Sequence, residues 1–429
     1  MLLRDESGLQ TIHHDMERLC LSIGNRLAGS DGDRQAAEYV AERFRELGMQ
    51  NVELLPFSCT RWIPGMCELF VEAEPAHCVR CCAHSHSPST PKEGVEGEVV
   101  IFEPVDWEMG IPRADLEGKI GLFLGGYGES AARFADLHSC GLAGLIFVDA
   151  RYQTDWPIAN GVGEKFMGLM RIPMANMSLM DAYDLVRHGT KRAKLTCVGE
   201  RRPGTSWNVS GEYPGTGPRS DIIVLCAHLD SVSVGAGADD DASGIAAILE
   251  CARRLREVDG KYTLRFIGFG AEEQLSVGST RYVTEQAKDL DRIRFVFNFD
   301  SIAAWFGMSK VTVTGTQALE QYIKSQVVTR QSFGAVKSDV SPYQDQFPFA
   351  RFGTPGIWYT RETHQGGYWY HHSEYNNLES VSVKQIALTA ESACQIAGDL
   401  LMNERWVFPR RISADLKKKV DHYTRELFE

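Results

Sequence analysis

The sequence lacks the long apolar runs and repetitive tracts of membrane-spanning and disordered chains. No stretch of about 18 consecutive apolar residues occurs, which a membrane-spanning helix would need, and no low-complexity tract is present. With 43% hydrophobic and 24% charged residues, the composition is that of an ordinary globular protein. The first residues also lack the basic segment and apolar run of a secretory signal. We therefore expect a cytoplasmic protein with no membrane partner.

An excess of positive charge is also missing. The formal net charge of -12 argues against binding to nucleic acid or to an anionic membrane, because neither attracts a negatively charged protein. The 11 cysteines are odd in number and scattered, which favours reduced thiols over a disulfide framework. Residues 78–86 resemble half of a zinc knuckle, but the second spaced pair is absent, so a structural zinc is not favoured there.

Three common catalytic signatures are absent as well. The chain has no His-Glu-x-x-His, no Gly-x-Ser-x-Gly and no phosphate-binding glycine loop. Any catalytic chemistry must therefore come from another arrangement of residues.

The 429 residues exceed what one hydrophobic core usually supports, so we expect two domains. Between residues 75 and 200, short apolar runs are broken by glycine and proline, which indicates a β-rich inserted domain. Residues 1–75 and 200–429 would form the catalytic domain, since strands and helices alternate after residue 200. This alternation predicts an α/β fold with a mostly parallel central sheet and helices on both faces.

In such a fold, ligands bind at the carboxyl ends of the strands. The apolar run 222–225 leads directly into His228 and Asp230. Side chains two residues apart on a strand share a face, so Asp230 could accept a hydrogen bond from the His228 nitrogen that does not bind metal. Twelve residues after His228 lies Asp240, flanked by two further aspartates that would repel it unless a cation were near.

Two further apolar runs also end in acids, and a histidine pair follows later. Residues 265–269 precede Glu272 and Glu273, and residues 294–299 precede Asp300. Adjacent glutamates point in different directions, so one could bind metal while the other takes a proton from a metal-activated water. Each cluster alone has an ordinary explanation, but together they supply the oxygen and imidazole ligands that divalent cations bind.

The order His-x-Asp, Gly-Ala-x-Asp-x-Ala-Ser-Gly, Glu-Glu, Asn-Phe-Asp and Tyr-His, within residues 200–400, resembles the di-zinc exopeptidases related to aminopeptidase Y and glutamate carboxypeptidase. That zinc aminopeptidase clan has a phosphorylase/hydrolase-like fold. Residues 114–120 and 140–146 are similar to a protease-associated domain, which several members carry as an insertion.

The resemblance implies two zinc ions and a role for each matching residue. Glu272 would be the general base, and Asp230 would orient His228. The implied metal ligands are His228, Asp240, Glu273, Asp300 and His372, with Asp240 as the bridge. The implied reaction is the removal of N-terminal residues from peptides by a water that the two zinc ions activate. The alternatives are a carboxypeptidase or dipeptidase of the same fold, or an inactive binding homologue; the presence of Glu272 argues against the last. The sequence gives no oligomeric state.

The histidine pair leaves two alignments open. Tyr370-His371 matches the family's usual Tyr-His, whereas the segment from His372 to Leu378 matches the longer pattern that follows the family's final histidine. We favour His372 as the ligand because the longer match constrains more of the chain. His371 would then occupy the tyrosine's place, where a donor could stabilise the developing oxyanion.

Overall fold

The computed structural model describes residues 6–72, 76–102, 116–125, 131–217, 221–327, 334–363, 367–403 and 405–429. They form two compact units. The first comprises Met1–Cys59, Gly204–Ser231 and Gly235–Glu429; the second comprises Thr60–Pro203 and Val232–Val234. Residues 114 and 115, at the start of the stretch similar to a protease-associated domain, lie outside the described residues.

The strands differ widely in length. They are β1 (Gln50–Val71), β2 (His77–Val79), β3 (Cys81–Ala83), β4 (Val95–Phe102), β5 (Ile120–Gly125), β6 (Gly144–Asp149), β7 (Met174–Met177), β8 (Arg192–Tyr213), β9 (Ile222–His228), β10 (Thr263–Phe269), β11 (Ile293–Phe299), β12 (Met308–Thr314), β13 (Ala335–Ser338) and β14 (Gly356–Glu362). The longest, β1 and β8, contain 22 residues each, and each includes residues of both units.

The α-helices are α1 (Glu6–Glu17), α2 (Asp31–Glu46), α3 (Ala131–Ser139), α4 (Leu179–Arg187), α5 (Ser243–Leu255), α6 (Val277–Arg281), α7 (Gln317–Val327), α8 (Gln346–Arg351), α9 (Val383–Met402) and α10 (Ala414–Tyr423). Short 3-10 or π-helical turns cover Arg18–Ile23, Glu164–Phe166, Ala238–Ala242, Glu272–Gln274, Tyr282–Gln286, Leu290–Arg292, Leu378–Ser380 and Thr424–Phe428. Across the described ranges, no helix is both long and apolar enough to cross a membrane.

The sheet of the first unit has the strand order β13-β12-β14-β11-β9-β10-β8. Its centre is parallel: β14 pairs with β11, β11 with β9, and β9 with β10 in the same direction. Antiparallel neighbours flank this centre, since β12 pairs with β14 and β8 pairs with β10 in the opposite direction. The predicted α/β class with a mostly parallel central sheet is confirmed.

Helices pack on both faces of this sheet. Along β9, Ile223 and Leu225 belong to a hydrophobic core that includes residues of α1, α5 and α9. The alternating residues Ile222 and Val224 belong to a second core, which contains Phe349 of α8. Because successive side chains on a strand point to opposite faces, a strand buried on both sides reads as a continuous apolar run. That explains why residues 222–227 show no polar alternation.

The sheet of the second unit has the strand order β8-β4-β5-β6-β7-β3. Strands β4, β5, β6 and β7 are parallel neighbours, and β8 and β3 flank them in antiparallel orientation. Helices α3 and α4 also lie in this unit. The short apolar runs between residues 75 and 200 therefore correspond to a small mixed α/β unit with a parallel centre, which the sequence texture did not indicate.

Candidate metal centre

Three neighbouring parallel strands end at the same edge of the first unit's sheet. His228 is the last residue of β9 and lies opposite Phe269, the last residue of β10. Glu272 and Glu273 follow β10 within four residues, and Asp300 follows β11 directly. The parallel pairing therefore brings together side chains that are far apart in the sequence.

The carboxylate of Asp240 lies against three imidazoles. Its Oδ1 is 3.0 Å from Nε2 of His228, and its Oδ2 is 3.3 Å from Nδ1 of His371 and 3.4 Å from Nε2 of His372. The rings of His371 and His372 stack with their centroids 3.7 Å apart. Both oxygens of Asp240 thus face groups that can bind a metal.

The other two predicted acidic ligands flank this arrangement. Glu273 Oε2 is 3.0 Å from Nε2 of His372, and Asp300 Oδ1 is 4.0 Å from Nε2 of His228. Within the described residues, three groups have potential ligand atoms within 4.8 Å of one another: Asp240, His371 and His372; His228, Asp240 and Glu273; and His228, Asp241 and Asp300. Together these groups include every predicted metal ligand.

Burial and neighbouring charges shift the pKa values of several acids in this cluster. Burial raises the carboxyl pKa of Asp300 and of Glu272 well above the usual range, and neighbouring carboxylates add to the shift. Burial also raises the pKa of Asp240, but hydrogen bonds from the histidines outweigh it and hold that pKa well below its usual value. A bound cation would stabilise the ionised form of all these acids.

Glu273 and His372 each have one buried ligand-type atom that makes no hydrogen bond to the described residues. These atoms are Oε1 of Glu273 and Nδ1 of His372. Burial lowers the pKa of His372, but the charges of Glu273 and Asp240 outweigh it and raise that pKa to about 10. Clustered acids with an unpartnered carboxylate oxygen fit a divalent cation well.

Asp230 lies beside His228 and has further contacts that were not predicted. His228 Nδ1 lies 3.1 Å from the main-chain oxygen of Asp230 and 3.6 Å from its carboxylate. The carboxylate also accepts the main-chain N–H groups of Glu272 and Glu273, at 2.8 and 3.2 Å. Asp230 therefore links the end of β9 to the turn that presents both glutamates, a contact between distant segments that the sequence spacing could not indicate.

Two of the three successive aspartates are bound by main-chain N–H groups rather than by histidines. Asp239 Oδ1 accepts the N–H of Ala303 at 2.7 Å. Asp241 accepts the N–H of Gly244 at 2.8 Å and that of His228 at 3.1 Å. These N–H groups help to hold the carboxylates of Asp239 and Asp241 together with any nearby cation, while burial still raises the pKa of both.

Gly244 permits this arrangement. A Cβ atom at this position would lie 2.4 and 2.5 Å from the carboxylate oxygens of Asp241 and 2.5 Å from the main-chain oxygen of Phe299. The first turn of α5 therefore approaches the end of β11 closely only because residue 244 has no side chain. This explains the glycine of the Ala-Ser-Gly sequence in physical terms.

Asn376 is a site residue to which the sequence reasoning assigned no role. Its side-chain oxygen accepts the N–H of Asp239 at 2.7 Å, and its main-chain oxygen accepts the N–H groups of Ala236 and Ala238. Asn376 thus ties the loop of His372 to the loop of Asp240. Its place four residues after His372 was visible in the sequence, but its partners depend on the folded arrangement.

The sequence of the chain is similar to those of known peptidases. Residues 208–397 match the model of Peptidase family M28. The chain is 25% identical over 416 residues to aminopeptidase YwaD of Bacillus subtilis (strain 168), covering 94% of this chain and 87% of the relative. It is 30% identical over 287 residues to carboxypeptidase Q of Bos taurus, but there it covers 62% of this chain and 60% of the relative.

Solved structures share the fold. A zinc aminopeptidase from Bacillus subtilis superposes with a TM-score of 0.72 at 22% identity, covering 95% of this chain and 98% of that one. A peptidase M28 precursor from Shewanella amazonensis SB2B gives a TM-score of 0.80 at 20% identity, covering 94% and 97%. The resemblance seen in the motif order is thereby confirmed. Residues 208–397 are thus similar to the peptidases of family M28, and the chain is a metallopeptidase.

Proposed function

We propose that the chain is an aminopeptidase that uses two zinc ions to remove N-terminal residues from peptides. This proposal rests on the carboxylate of Asp240. Its Oδ1 faces His228, and its Oδ2 faces His371 and His372. His228 and Asp300 would hold one ion, and Glu273 and His372 the other, with Asp240 shared. The similarity to aminopeptidase YwaD over most of both chains supports the choice of an aminopeptidase.

Zinc bound here would polarise the scissile carbonyl and lower the pKa of the attacking water to roughly 7. Glu272 would accept the proton of that water and pass it to the leaving amine. Two hydrogen bonds fix the position of Glu272. Its main-chain N–H donates to the carboxylate of Asp230, and its Oε1 accepts the hydroxyl of Ser276 at 3.1 Å. Such anchoring favours proton transfer over a defined distance.

His371 would stabilise the oxyanion that develops as the carbonyl is attacked. Its ring stacks on that of His372, and its Nδ1 faces Asp240 at 3.3 Å. His372 also lies 3.0 Å from Glu273, which supports His372 as the ligand of the pair. An imidazole N–H beside the cluster could then donate to the oxyanion.

A carboxypeptidase is the second candidate. The similarity to bovine carboxypeptidase Q supports it, although the chain spans only 60% of that relative. The same metal ligands would support either an aminopeptidase or a carboxypeptidase, because both reactions need an activated water at a terminal peptide bond.

The first experiment therefore tests metal dependence and polarity together. The purified protein, with and without prior treatment with a zinc chelator, would be given leucine p-nitroanilide, N-acetyl-leucine p-nitroanilide and a peptide with an acetylated N-terminus and a free C-terminus. We expect hydrolysis of the first substrate alone, its loss after chelation and its return when zinc is added. Cleavage of the acetylated peptide from its C-terminus would instead establish the carboxypeptidase alternative.

The histidine pair gives a second prediction. We expect His372→Ala to lose one zinc ion, because His372 lies against both Glu273 and Asp240. His371→Ala should keep both ions and lose turnover by roughly the 10²-fold to 10³-fold typical of a missing oxyanion donor. Metal content by mass spectrometry and kcat would be measured on both variants. If His371→Ala loses an ion while His372→Ala keeps two, the alignment is inverted.

The inserted unit and the cellular location stay predictions. We propose that residues of the second unit form a protease-associated-like domain, on the basis of the similarity of residues 140–146, which cover the start of β6. We also propose a cytoplasmic location, on the basis of the amino-acid composition.

A further inference from the structure

Arg26 is a buried arginine in the first unit, before helix α2. Its side chain is 1% exposed. The guanidinium donates to four main-chain oxygens: Nε to Leu229 at 2.7 Å, Nη1 to Ala236 at 2.5 Å and to Gly24 at 3.2 Å, and Nη2 to Gly237 at 3.0 Å. A planar group with donors in a fixed arrangement can satisfy several carbonyls in different directions at once, which a lysine ammonium on a single nitrogen cannot reproduce.

Three of these oxygens belong to the loop that joins two of the proposed metal ligands. Leu229 directly follows His228, whereas Ala236 and Gly237 shortly precede Asp240. Arg26 therefore bonds to both ends of the loop at the same time. Because the positions of His228 and Asp240 depend on where these ends lie, the guanidinium fixes one side chain relative to the other.

The main chain of the same residue adds to this contact. The N–H of Arg26 donates to Oγ of Ser231 at 3.0 Å, and the N–H of Ser231 donates to the main-chain oxygen of Arg26 at 3.3 Å. The neighbouring Asn25 donates to the main-chain oxygen of Gly235 at 3.0 Å. The segment before α2 thus follows the loop closely along its length.

Gly237 shows how tightly the loop and the guanidinium are packed. Its φ of 56° lies in the left-handed region. A Cβ atom there would lie 3.1 Å from Nη2 of Arg26 and 2.5 Å from the main-chain oxygen of Asp240. The absence of a side chain is therefore needed for this backbone to approach both groups.

We propose that Arg26 is a positioning residue for the metal centre: it sets the separation of His228 and Asp240 and thereby the affinity for the ion that they share. This inference rests on the proposed function, which makes both residues metal ligands. Groups that orient metal ligands without touching the metal change its affinity by about 10-fold to 100-fold when they are removed.

The test compares Arg26→Met with a matched variant of another arginine that bonds main-chain oxygens. Arg410 donates from Nε to Ile293 at 2.6 Å and from Nη2 to Leu290 at 2.9 Å. Ile293 is the first residue of β11, whereas Asp300 follows the last. Arg410→Met therefore removes two main-chain hydrogen bonds, and one to Thr354 Oγ1, at the opposite end of that strand.

The zinc Kd would be measured by competition with a chromogenic chelator, and the Tm of the metal-free protein by circular dichroism. We expect Arg26→Met to weaken zinc binding by about 10-fold to 100-fold, and Arg410→Met to change the Kd by less than about threefold even where its Tm falls. Arg26→Lys keeps the charge but loses the planar arrangement of donors. It should also bind zinc more weakly than wild type, and it decides the question if Arg26→Met does not fold.

Two outcomes overturn the inference in different ways. Equal zinc affinities in wild type, Arg26→Met and Arg26→Lys, with a lower Tm, would show that Arg26 contributes to stability alone. A wild-type protein that binds no zinc would overturn the proposed function together with this inference.

Discussion

We expect the Glu272→Gln variant to retain both metal ions and its fold but to lose about 10²-fold to 10⁴-fold of its kcat, as a missing general base does. The amide of glutamine has nearly the shape of the carboxyl group and can still accept the hydroxyl of Ser276. It cannot accept a proton from water. The loss should therefore appear in kcat, with little change in Tm.

The adjacent Glu273→Gln variant is the matched comparison. Glu273 lies 3.0 Å from His372, and its second oxygen has no hydrogen-bond partner among the described residues, as expected of a metal ligand. This variant should lose metal. Metal content, kcat and Tm measured on both variants separate the two roles. Loss of metal from Glu272→Gln, with full metal in Glu273→Gln, would contradict the assignment within the pair.

The second large effect is expected at the residue that both ions would share. Asp240→Asn should reduce the metal content below that of any other variant in which one ligand is replaced. It should also lower kcat by more than roughly 10²-fold, the loss typical when a residue that only orients a metal ligand is replaced. An asparagine offers one oxygen and no charge, whereas the carboxylate of Asp240 presents both oxygens to three histidines.

Asp239→Asn provides the control, because the two residues are adjacent and differ in their contacts. The side-chain oxygen of an asparagine can still accept the N–H of Ala303, which Asp239 Oδ1 accepts at 2.7 Å. Burial raises the pKa of Asp239 to about 7, so a neutral side chain removes less charge there than at Asp240, whose pKa is held well below its usual value. Metal content would be compared between the two variants. Equal losses of metal from the two variants would contradict the proposal that both ions share Asp240.

The strand ends were predictable from the sequence because a largely apolar run precedes each of them. His228 is the last residue of β9, Asp300 directly follows β11, and Glu272 lies three residues after β10. Parallel pairing then places these ends side by side, which is a property of the fold class and needs no detailed coordinates. The clustering of these three segments followed from that reasoning.

The supporting contacts were not predictable, because they depend on segments that meet only in the folded chain. Nothing in the spacing indicates that the carboxylate of Asp230 accepts the N–H groups of residues 272 and 273. The bonds of Asp241 to the main chain of His228 and of Gly244 likewise depend on how α5 packs against the strands. The carboxylate of Asp230, two residues after the proposed ligand His228, therefore holds the turn that follows another strand.

The proposed ligands come from five separate segments between residues 228 and 372. Closing the intervening loops costs conformational entropy, which the packed sheet offsets before any ion binds. An unfolded chain consequently offers no assembled site, and zinc would bind the native state alone. Under the proposed function, the apparent free energy of unfolding then rises with the logarithm of the free zinc concentration once that exceeds the Kd. The lifetime of this protein against heat and proteolysis would thus be tied to the zinc supply of its surroundings.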